Sequence, residues 1–210
     1  GPWTGLNLGA HVGDDAQAVA RNRALLVASA GLPELPLWLT QVHGTAVVDA
    51  DAPPDVTADA RHTARRGAVC VVLSADCLPL LLCDTDGTEV AAVHCGWRGL
   101  ADGMVAAAVA RFAAPPARLL AWLGPAIGAA AYQVGPELVT RFAPAARGAF
   151  GPGAQGLTLD LGAAARALLA QAGVTRVYGG HWCTASDAAR FYSYRRDGVT
   201  GRMATLIWQD

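Results

Sequence analysis

Short apolar runs that break at Gly or Pro fill the middle of this chain, and three of them end beside a side chain that can bind a metal. His43 stands in TQVHG, Cys77 in SADCLP and His94 in VHCGWRG. Apolar runs of this length are typical of β-strands, and residues at the ends of such elements often form functional sites. The pattern therefore predicts a protein built on short strands, with these three side chains where strands give way to turns.

Helical segments alternate with these strands, and the order of elements predicts a mixed sheet. Acidic residues precede the segment 16–30 and Gly31 follows it, as expected for a helix, while Asp86-Gly87 is a strong hairpin signal. Interleaved helices, strands and hairpins favour one α/β domain with mixed sheets. We predict helices over 16–30, 100–112, 137–142 and 161–172, strands over 37–42, 45–49, 69–73, 80–83, 89–94, 119–123, 176–178 and 202–208, and a mobile surface loop over 148–156.

The composition excludes several classes of protein. Hydrophobic residues make up 53% of the chain, and the net charge is -1 without any block of basic residues, which argues against a nucleic-acid or membrane-surface partner. The five Cys are an odd number scattered through apolar segments, unlike the paired Cys of a secreted, disulfide-linked domain. We therefore expect a globular protein of the cytoplasm that acts on a small molecule.

His43, Cys77 and His94 form the central hypothesis about the site. Two imidazoles and a thiolate suit zinc or copper, and three protein ligands would leave one position open for water or substrate. Their separations along the chain do not match the short repeats of structural zinc modules, so they would have to converge through tertiary folding. Two alternatives stay open, namely a metal-free Cys/His site and ordinary structural roles for each residue.

Several neighbours of these three residues extend the hypothesis. Asp76 can transfer a proton or orient a histidine, or it can merely cap the turn. Arg98, Arg195 and Arg196 are candidate anion ligands, although the last two can equally be a solvated pair beside Asp197. On a regular strand Cys95 would point away from His94, which makes it a poor fourth ligand. Aromatic residues that can stack on a base, or pack in the core, are Trp97, Tyr192 and Tyr194.

Six motifs of this chain occur in the order found in the YfiH family. They are QVHG, SADCLPLLLCD, HCGWRG, LGPAIGAAAYQVGPEL, the CT at 183–184 and FYSYRRDGVTGRMATLIW. The chain resembles this family, also described as laccase-domain or multicopper polyphenol oxidase, purine nucleoside phosphorylase and peptidoglycan editing factor, from about position 6 to 208. It departs from the family in having Cys95 where Ala is common, and we expect one domain over 1–210 that lacks a short N-terminal segment.

The resemblance implies a four-layer α/β/β/α arrangement, related to cysteine hydrolases of the bacterial deamidating-toxin type. It also implies a metal, usually zinc with copper as the alternative, on His43, Cys77 and His94. The implied activities are phosphorolysis of adenosine, inosine, guanosine and methylthioadenosine, and deamination of adenosine. The implied partners are a purine nucleoside and phosphate, and we expect a monomer or small homo-oligomer.

These observations lead to one function and two alternatives. The function is a zinc-dependent purine nucleoside phosphorylase with adenosine deaminase activity, in which Arg98 and one of Arg195 and Arg196 neutralise phosphate and Asp76 moves a proton. The first alternative is a cysteine hydrolase that edits peptidoglycan precursors, with Cys77 as nucleophile and His94 or His43 as base. The second is a copper-dependent polyphenol oxidase.

Overall fold

The structure is a computed structural model that describes residues 1–154 and 156–210. Its strands are β1 (Val47–Asp49), β2 (Ala60–Thr63), β3 (Cys70–Ser74), β4 (Leu78–Asp84), β5 (Val90–Cys95), β6 (Leu119–Leu123), β7 (Gln133–Val134), β8 (Phe150–Gly153), β9 (Gly156–Leu159), β10 (Arg176–Gly179) and β11 (Met203–Ile207). Its α-helices are α1 (Ala16–Ala30), α2 (Trp97–Asp102), α3 (Met104–Val109), α4 (Glu137–Arg141), α5 (Leu161–Gln171) and α6 (Tyr194–Asp197).

A six-stranded sheet in the order β1-β2-β5-β4-β6-β10 carries the fold. The outermost pairs, β1 with β2 and β6 with β10, are parallel, whereas the central pairs are antiparallel, so the sheet is mixed as predicted. The hairpin between β4 and β5 turns at Asp86-Gly87, as predicted. The Asp84 side chain stabilises this turn by accepting hydrogen bonds from the backbone N–H groups of Asp86, Thr88 and Glu89.

The six-stranded sheet is covered differently on its two faces. On one face lies a second sheet, in which β3 and β11 pair antiparallel, and Val72 of β3 packs with Val90 and Ala92 of β5 between the two sheets. On the other face α2, α3 and α5 bury Leu100, Met104 and other apolar residues against the strands. Helix α1 lies on the β11 side, where Asn22 and Arg23 donate to the carbonyls of Asn7 and Leu8. These layers agree with the α/β/β/α arrangement.

The two long helices begin and end where the sequence predicts. Helix α1 begins after Asp15, whose side chain accepts a hydrogen bond from the N–H of Ala18, and ends at Gly31 in the left-handed conformation with φ 60°. Helix α5 begins after Asp160, whose side chain accepts from the N–H of Ala163. The predicted strand 119–123 also coincides with β6.

The segment 37–42 does not form the predicted strand, and the strand β2 went unpredicted. Within 37–42 only Thr40 makes a β-bridge, to Thr57, while the Gln41 side chain makes two hydrogen bonds to the backbone of Leu73 at the edge of β3. Strand β2 has a polar sequence, and its buried Arg61 is tolerated because backbone carbonyls, including that of Asp49, accept its guanidinium protons.

Two further predictions were wrong in part. The predicted helix 100–112 is divided into α2 and α3, because Gly103 adopts φ 100° and interrupts the helical backbone. The predicted surface loop 148–156 contains β8, which pairs with β9, and Phe150 of β8 packs edge-to-face on Phe142 at 5.3 Å between ring centroids. Within that segment Gln155 lies outside the described residues. Among the described helices none is both long and apolar enough to cross a membrane.

Candidate metal centre

The start of β4, the end of β5 and the loop before β1 meet at one edge of the central sheet. They bring His43, Cys77 and His94 together. Cys77 directly precedes β4 and His94 lies near the end of β5, and these neighbouring strands pair Pro79 with His94. His43 comes from the loop before β1 and adopts the left-handed φ of 62°. One donor atom of each residue lies within 4.8 Å of the other two. The predicted convergence of the three side chains is therefore present, and we call them the His-Cys-His cluster.

The contacts inside the cluster are close. The Cys77 Sγ lies 3.6 Å from Nε2 of His43, and the two imidazole rings stand edge-to-face with centroids 4.8 Å apart. Gly96 permits this approach, because a Cβ at that position would stand 2.7 Å from Cδ2 of His43 and 3.2 Å from Sγ of Cys77. The glycine that follows β5 is thus a steric requirement of the cluster.

A buried carboxylate that the sequence analysis missed supports the cluster. Asp59 directly precedes β2 and is 0% exposed. Its Oδ1 accepts a hydrogen bond from Nδ1 of His94 at 2.8 Å, and the backbone N–H groups of His43 and Gly44 donate to its two oxygens at 2.9 and 2.7 Å. An Asp at the end of a Pro/Asp loop gives no local signal for such a role, because its partners lie 15 to 35 residues away in sequence.

The electrostatics of the cluster favour a thiolate beside a charged imidazole. Burial opposes ionisation of Cys77, but its hydrogen bonds to His43 and His94 and their charges outweigh burial and lower its pKa to about 6. Burial likewise opposes the charge on His94, but Asp59 and Cys77 outweigh it and raise its pKa to about 9. Cys77 is therefore primed either as a metal ligand or as a nucleophile.

The donors of the cluster fit a soft or borderline metal ion. One thiolate and two imidazoles are the ligand types that zinc and copper prefer. The Nδ1 of His94 is engaged with Asp59, which leaves Nε2 as its metal-binding atom. Cys95 does not join the group found among the described residues, since its side chain is fully buried in the core beneath the helices and burial raises the pKa of its thiol.

The cluster forms the floor of a pocket of about 520 Å³, a volume in the range typical of small-molecule sites. Of the predicted residues, the pocket brings Asp76, Arg98 and Arg195 to the cluster, and Trp97 and Tyr194 also line it. Further polar and aromatic residues line the pocket but were not predicted, because their residue types do not distinguish them from the other residues of the motifs and segments in which they lie. They are His11, Gln41, Tyr132 and Arg202.

The rim arginines lie over aromatic rings. The Arg98 guanidinium lies 4.5 Å from the ring centroid of Trp97, and that of Arg195 lies 4.8 Å from the ring of Tyr132. Burial raises the pKa of Tyr132 to about 12, so its hydroxyl stays protonated and can donate a hydrogen bond. The rim therefore combines cationic and aromatic surfaces above the cluster.

Arg196 and Tyr192 are not brought to this pocket. The Arg196 guanidinium donates to the carbonyls of Thr184 and Phe191 and pairs with Asp197, so it stabilises its own loop. The Tyr192 hydroxyl donates to the carbonyls of Trp3 and Thr4. Of the two predicted arginines in the 195–196 pair, only the first is among the pocket residues.

Asp76 connects the cluster to the rim. It is 8% exposed and has a left-handed φ of 91°, a conformation that its contacts must hold in place. The hydroxyl of Thr184 donates to its Oδ1 at 2.5 Å, and the backbone N–H of Arg195 donates to its Oδ2 at 2.6 Å. Both carboxylate oxygens therefore hold distant segments, and proton transfer by Asp76 stays a prediction.

Comparisons with known proteins agree with this architecture. The family described as multi-copper polyphenol oxidoreductase laccase matches residues 1–210. A protein named purine nucleoside phosphorylase from Pseudomonas aeruginosa is 50% identical over 212 residues, which cover 99% of this chain and 87% of that protein. The purine nucleoside phosphorylase YfiH of Escherichia coli is 46% identical over 212 residues, with coverage of 99% and 87%.

Solved structures of similar proteins share this fold. A Neisseria meningitidis protein superimposes with a TM-score of 0.93 at 46% identity, covering 100% of this chain and 88% of that one. The YfiH protein of Bacillus licheniformis superimposes with a TM-score of 0.91 at 28% identity, covering 100% and 87%. The chain therefore belongs to the multi-copper polyphenol oxidoreductase laccase family, and it is similar over nearly its whole length to proteins named YfiH.

Proposed function

We propose that this protein is a zinc-dependent purine nucleoside phosphorylase. The observation that carries the proposal is the position of the His-Cys-His cluster at the floor of a pocket whose rim presents Arg98, Arg195 and aromatic rings. The names of relatives that are 50% and 46% identical over 99% of the chain support the same chemistry. A cavity of about 520 Å³ has room for a nucleoside and a phosphate ion.

His43, Cys77 and His94 are the proposed zinc ligands. When bound, zinc supplies a Lewis acid that polarises an oxygen atom in its open coordination position. The thiolate of Cys77 and the neutral Nε2 of His94 must both be free of protons to bind it. Since Asp59 already accepts the Nδ1 proton of His94, binding needs the loss of the Nε2 proton alone from that ring.

The rim residues are proposed to bind the two substrates. In phosphorolysis a phosphate oxygen forms a bond to C1′ of the ribose as the bond from C1′ to the purine nitrogen breaks. Arg98 and Arg195 would neutralise the phosphate charge, and guanidinium groups suit this task because they bind phosphate oxygens through paired hydrogen bonds. Trp97, Tyr132 and Tyr194 would pack against the purine and ribose and exclude water.

The proposed substrates are adenosine, inosine, guanosine and methylthioadenosine, with deamination of adenosine as a second activity of the same pocket. Phosphorolysis is followed as phosphate-dependent release of the free base, and deamination as release of ammonia without phosphate. Because the two reactions attack different atoms of the nucleoside, a substitution at a phosphate-binding arginine should lower the first activity more than the second.

A cysteine hydrolase that edits peptidoglycan precursors is the second candidate. It is favoured by the order Cys77, His94, Asp59 in the site, which resembles a nucleophile, its base and an orienting carboxylate. Zinc and a nucleophilic role compete for the same thiolate. Removal of metal by a chelator would therefore abolish a zinc-dependent phosphorylase and activate a cysteine hydrolase.

The deciding experiment combines elemental analysis with a turnover assay. The protein should contain about one zinc per chain, as expected for one three-ligand site, and should release free base only when phosphate is present. His43→Ala should lose both the metal and the activity, whereas the matched variant His181→Ala, at an exposed histidine outside the pocket, should keep both. A His43→Ala protein that loses zinc and keeps full turnover would refute the proposal. Copper in place of zinc, with phenol oxidation, would favour the polyphenol oxidase.

A further inference from the structure

The Asp59 side chain contacts two of the three segments that carry the cluster. Its carboxylate lies completely buried and accepts four N–H hydrogen bonds. One comes from the imidazole of His94, and three come from the consecutive backbone groups of Val42, His43 and Gly44 at 3.2, 2.9 and 2.7 Å. In addition, the backbone N–H of His94 donates to the backbone carbonyl of Asp59 at 2.7 Å.

We infer that Asp59 is a positioning residue that presents His94 to the pocket through Nε2 and fixes the loop of His43 against β5. An ionised carboxylate has only acceptors, so the Nδ1 of His94 that contacts it must carry a proton. The other ring nitrogen then faces Cys77 and is the atom available to a metal or to the thiol. The inference rests on the proposed zinc site for its functional consequence.

The loop of His43 needs this support because its backbone is strained. His43 has φ 62°, which is an unfavourable conformation for a residue with a Cβ, and it persists only where surrounding contacts hold it. The three hydrogen bonds from 42–44 to one carboxylate supply such contacts. One carboxylate therefore couples the position of the first histidine to the ring orientation of the second.

Asp59→Asn tests this coupling with almost no change of volume. An amide has one accepting oxygen and one donating nitrogen, whereas all four groups around position 59 are donors. If the amide nitrogen faces 42–44, the loop loses its acceptor. If the amide nitrogen faces His94, Nδ1 of that ring must be unprotonated to accept its hydrogen bond. The neutral ring then carries its proton on Nε2, which faces the pocket. Either outcome weakens the cluster.

Asp84→Asn is the matched control. Asp84 is 3% exposed and also accepts four hydrogen bonds, from three backbone N–H groups and the hydroxyl of Thr88, but it lies in the hairpin turn between β4 and β5, outside the pocket. Its substitution should cost stability without touching the cluster. A difference in zinc affinity between the two variants therefore distinguishes a positioning role of Asp59 from a general contribution to stability.

The first measurement is zinc affinity, by competition with a chromogenic chelator at neutral pH. Asp59→Asn should bind zinc about 10- to 100-fold more weakly than the natural protein, the range found when such outer partners of a metal-bound histidine are removed. Asp84→Asn should bind it as tightly as the natural protein. Asp59→Asn protein that folds and keeps the natural affinity would overturn the inference.

The second measurement uses the unsubstituted protein, so it does not depend on the folding of a variant. In ¹⁵N NMR spectra of the unsubstituted, metal-free protein, the Nδ1 proton of His94 should be visible and slow to exchange with water, since Asp59 accepts it. In the zinc-loaded protein, the shifts should identify Nε2 as the metal-bound nitrogen. Zinc on Nδ1, or a rapidly exchanging Nδ1 proton, would overturn the inference. If zinc does not bind at all, the proposed function fails, while the metal-free spectrum still decides the contact of Asp59.

Discussion

The floor and the rim of the pocket are built in opposite ways. The floor consists of the His-Cys-His cluster, which lies at the start of β4, near the end of β5 and in the loop before β1. A buried carboxylate holds the His94 ring, and the missing Cβ of Gly96 leaves room for that of His43. The rim consists of long side chains, among them the exposed Arg98 and Arg195, contributed by segments far apart in sequence. A fixed floor suits chemistry, which tolerates little displacement, whereas a rim of exposed cations suits the capture of an anion.

The largest effect is expected where a floor donor is removed. Cys77→Ala should lower turnover by about 10⁴-fold or more, because the residues of one catalytic unit act together. Zinc content, measured by elemental analysis, should fall with it. Cys83→Ala, at a half-buried cysteine in β4 outside the pocket, is the control and should retain both. Activity surviving in Cys77→Ala would contradict a functional floor.

A smaller effect is expected where the floor keeps its donors but loses its spacing. Gly96→Ala places a Cβ 2.7 Å from the His43 ring, so the ring must shift. We expect turnover to fall about 100-fold, the order of loss that a displacement of about 1 Å causes. Gly148→Ala, where no atom lies within 4 Å of the new Cβ, should behave as the natural protein. Equal activity of the two variants would show that the floor tolerates displacement.

The ionisation of Cys77 in the floor can be followed by the rate of thiol alkylation in metal-free protein at different pH values. Because the pKa of Cys77 is lowered to about 6, its thiolate is lost as the pH falls through 6, and the rate of its reaction with iodoacetamide should rise about tenfold between pH 5 and pH 7 and then level off. Peptide mass spectrometry follows the site. Zinc should protect Cys77.

Cys70 serves as the internal control for this measurement. Its pKa is raised to about 12 by burial, so its thiol should stay unmodified throughout. The alkylation rate of Cys77 should change a second time near pH 9. The pKa of His94 is raised to about 9, so its imidazolium there loses the charge that stabilises the thiolate. A rate at Cys77 that rises only above pH 8 would contradict the proposed electrostatics of the floor.

The smallest effect is expected at the rim. Arg195→Ala should raise the KM for phosphate about tenfold, the loss of one charged hydrogen bond, and leave kcat within about threefold. Arg21→Ala, on the exposed face of α1, is the control and should change neither constant.

Arg196→Ala should instead lower the midpoint of thermal unfolding, because the Arg196 guanidinium donates hydrogen bonds to the carbonyls of its own loop. A larger KM effect for Arg196 than for Arg195 would reverse this assignment.

The local elements were predictable because their signals are local. The boundaries of α1, β6 and α5 follow from caps and apolar runs that lie within each segment. The strand β2 was missed because its polar residues look like a loop until Arg61 finds backbone carbonyls as partners. The break of the helix at Gly103 was also missed, since a single glycine is tolerated in many helices.

The residues of the candidate site likewise differ in how far the sequence alone identifies them. His43, Cys77 and His94 were recognisable because each is a metal-competent side chain within a motif, beside a short apolar run. Asp59 was not, because a carboxylate in a loop becomes informative only when its four donors are known. Tyr132 and Arg202 lie within two of the quoted motifs, but residue type alone does not distinguish them from motif residues that lie outside the pocket.

By itself, the sequence determined which side chains are available for the chemistry and which short segments form strands and helices. Both follow from residue type and from periodicities that act over a few positions. Only the tertiary structure decided that one buried carboxylate joins two of the three donors, that Arg195 faces the pocket while Arg196 faces its loop, and that Gly96 makes room for the His43 ring. These are relations between distant segments, and packing of the two sheets sets them.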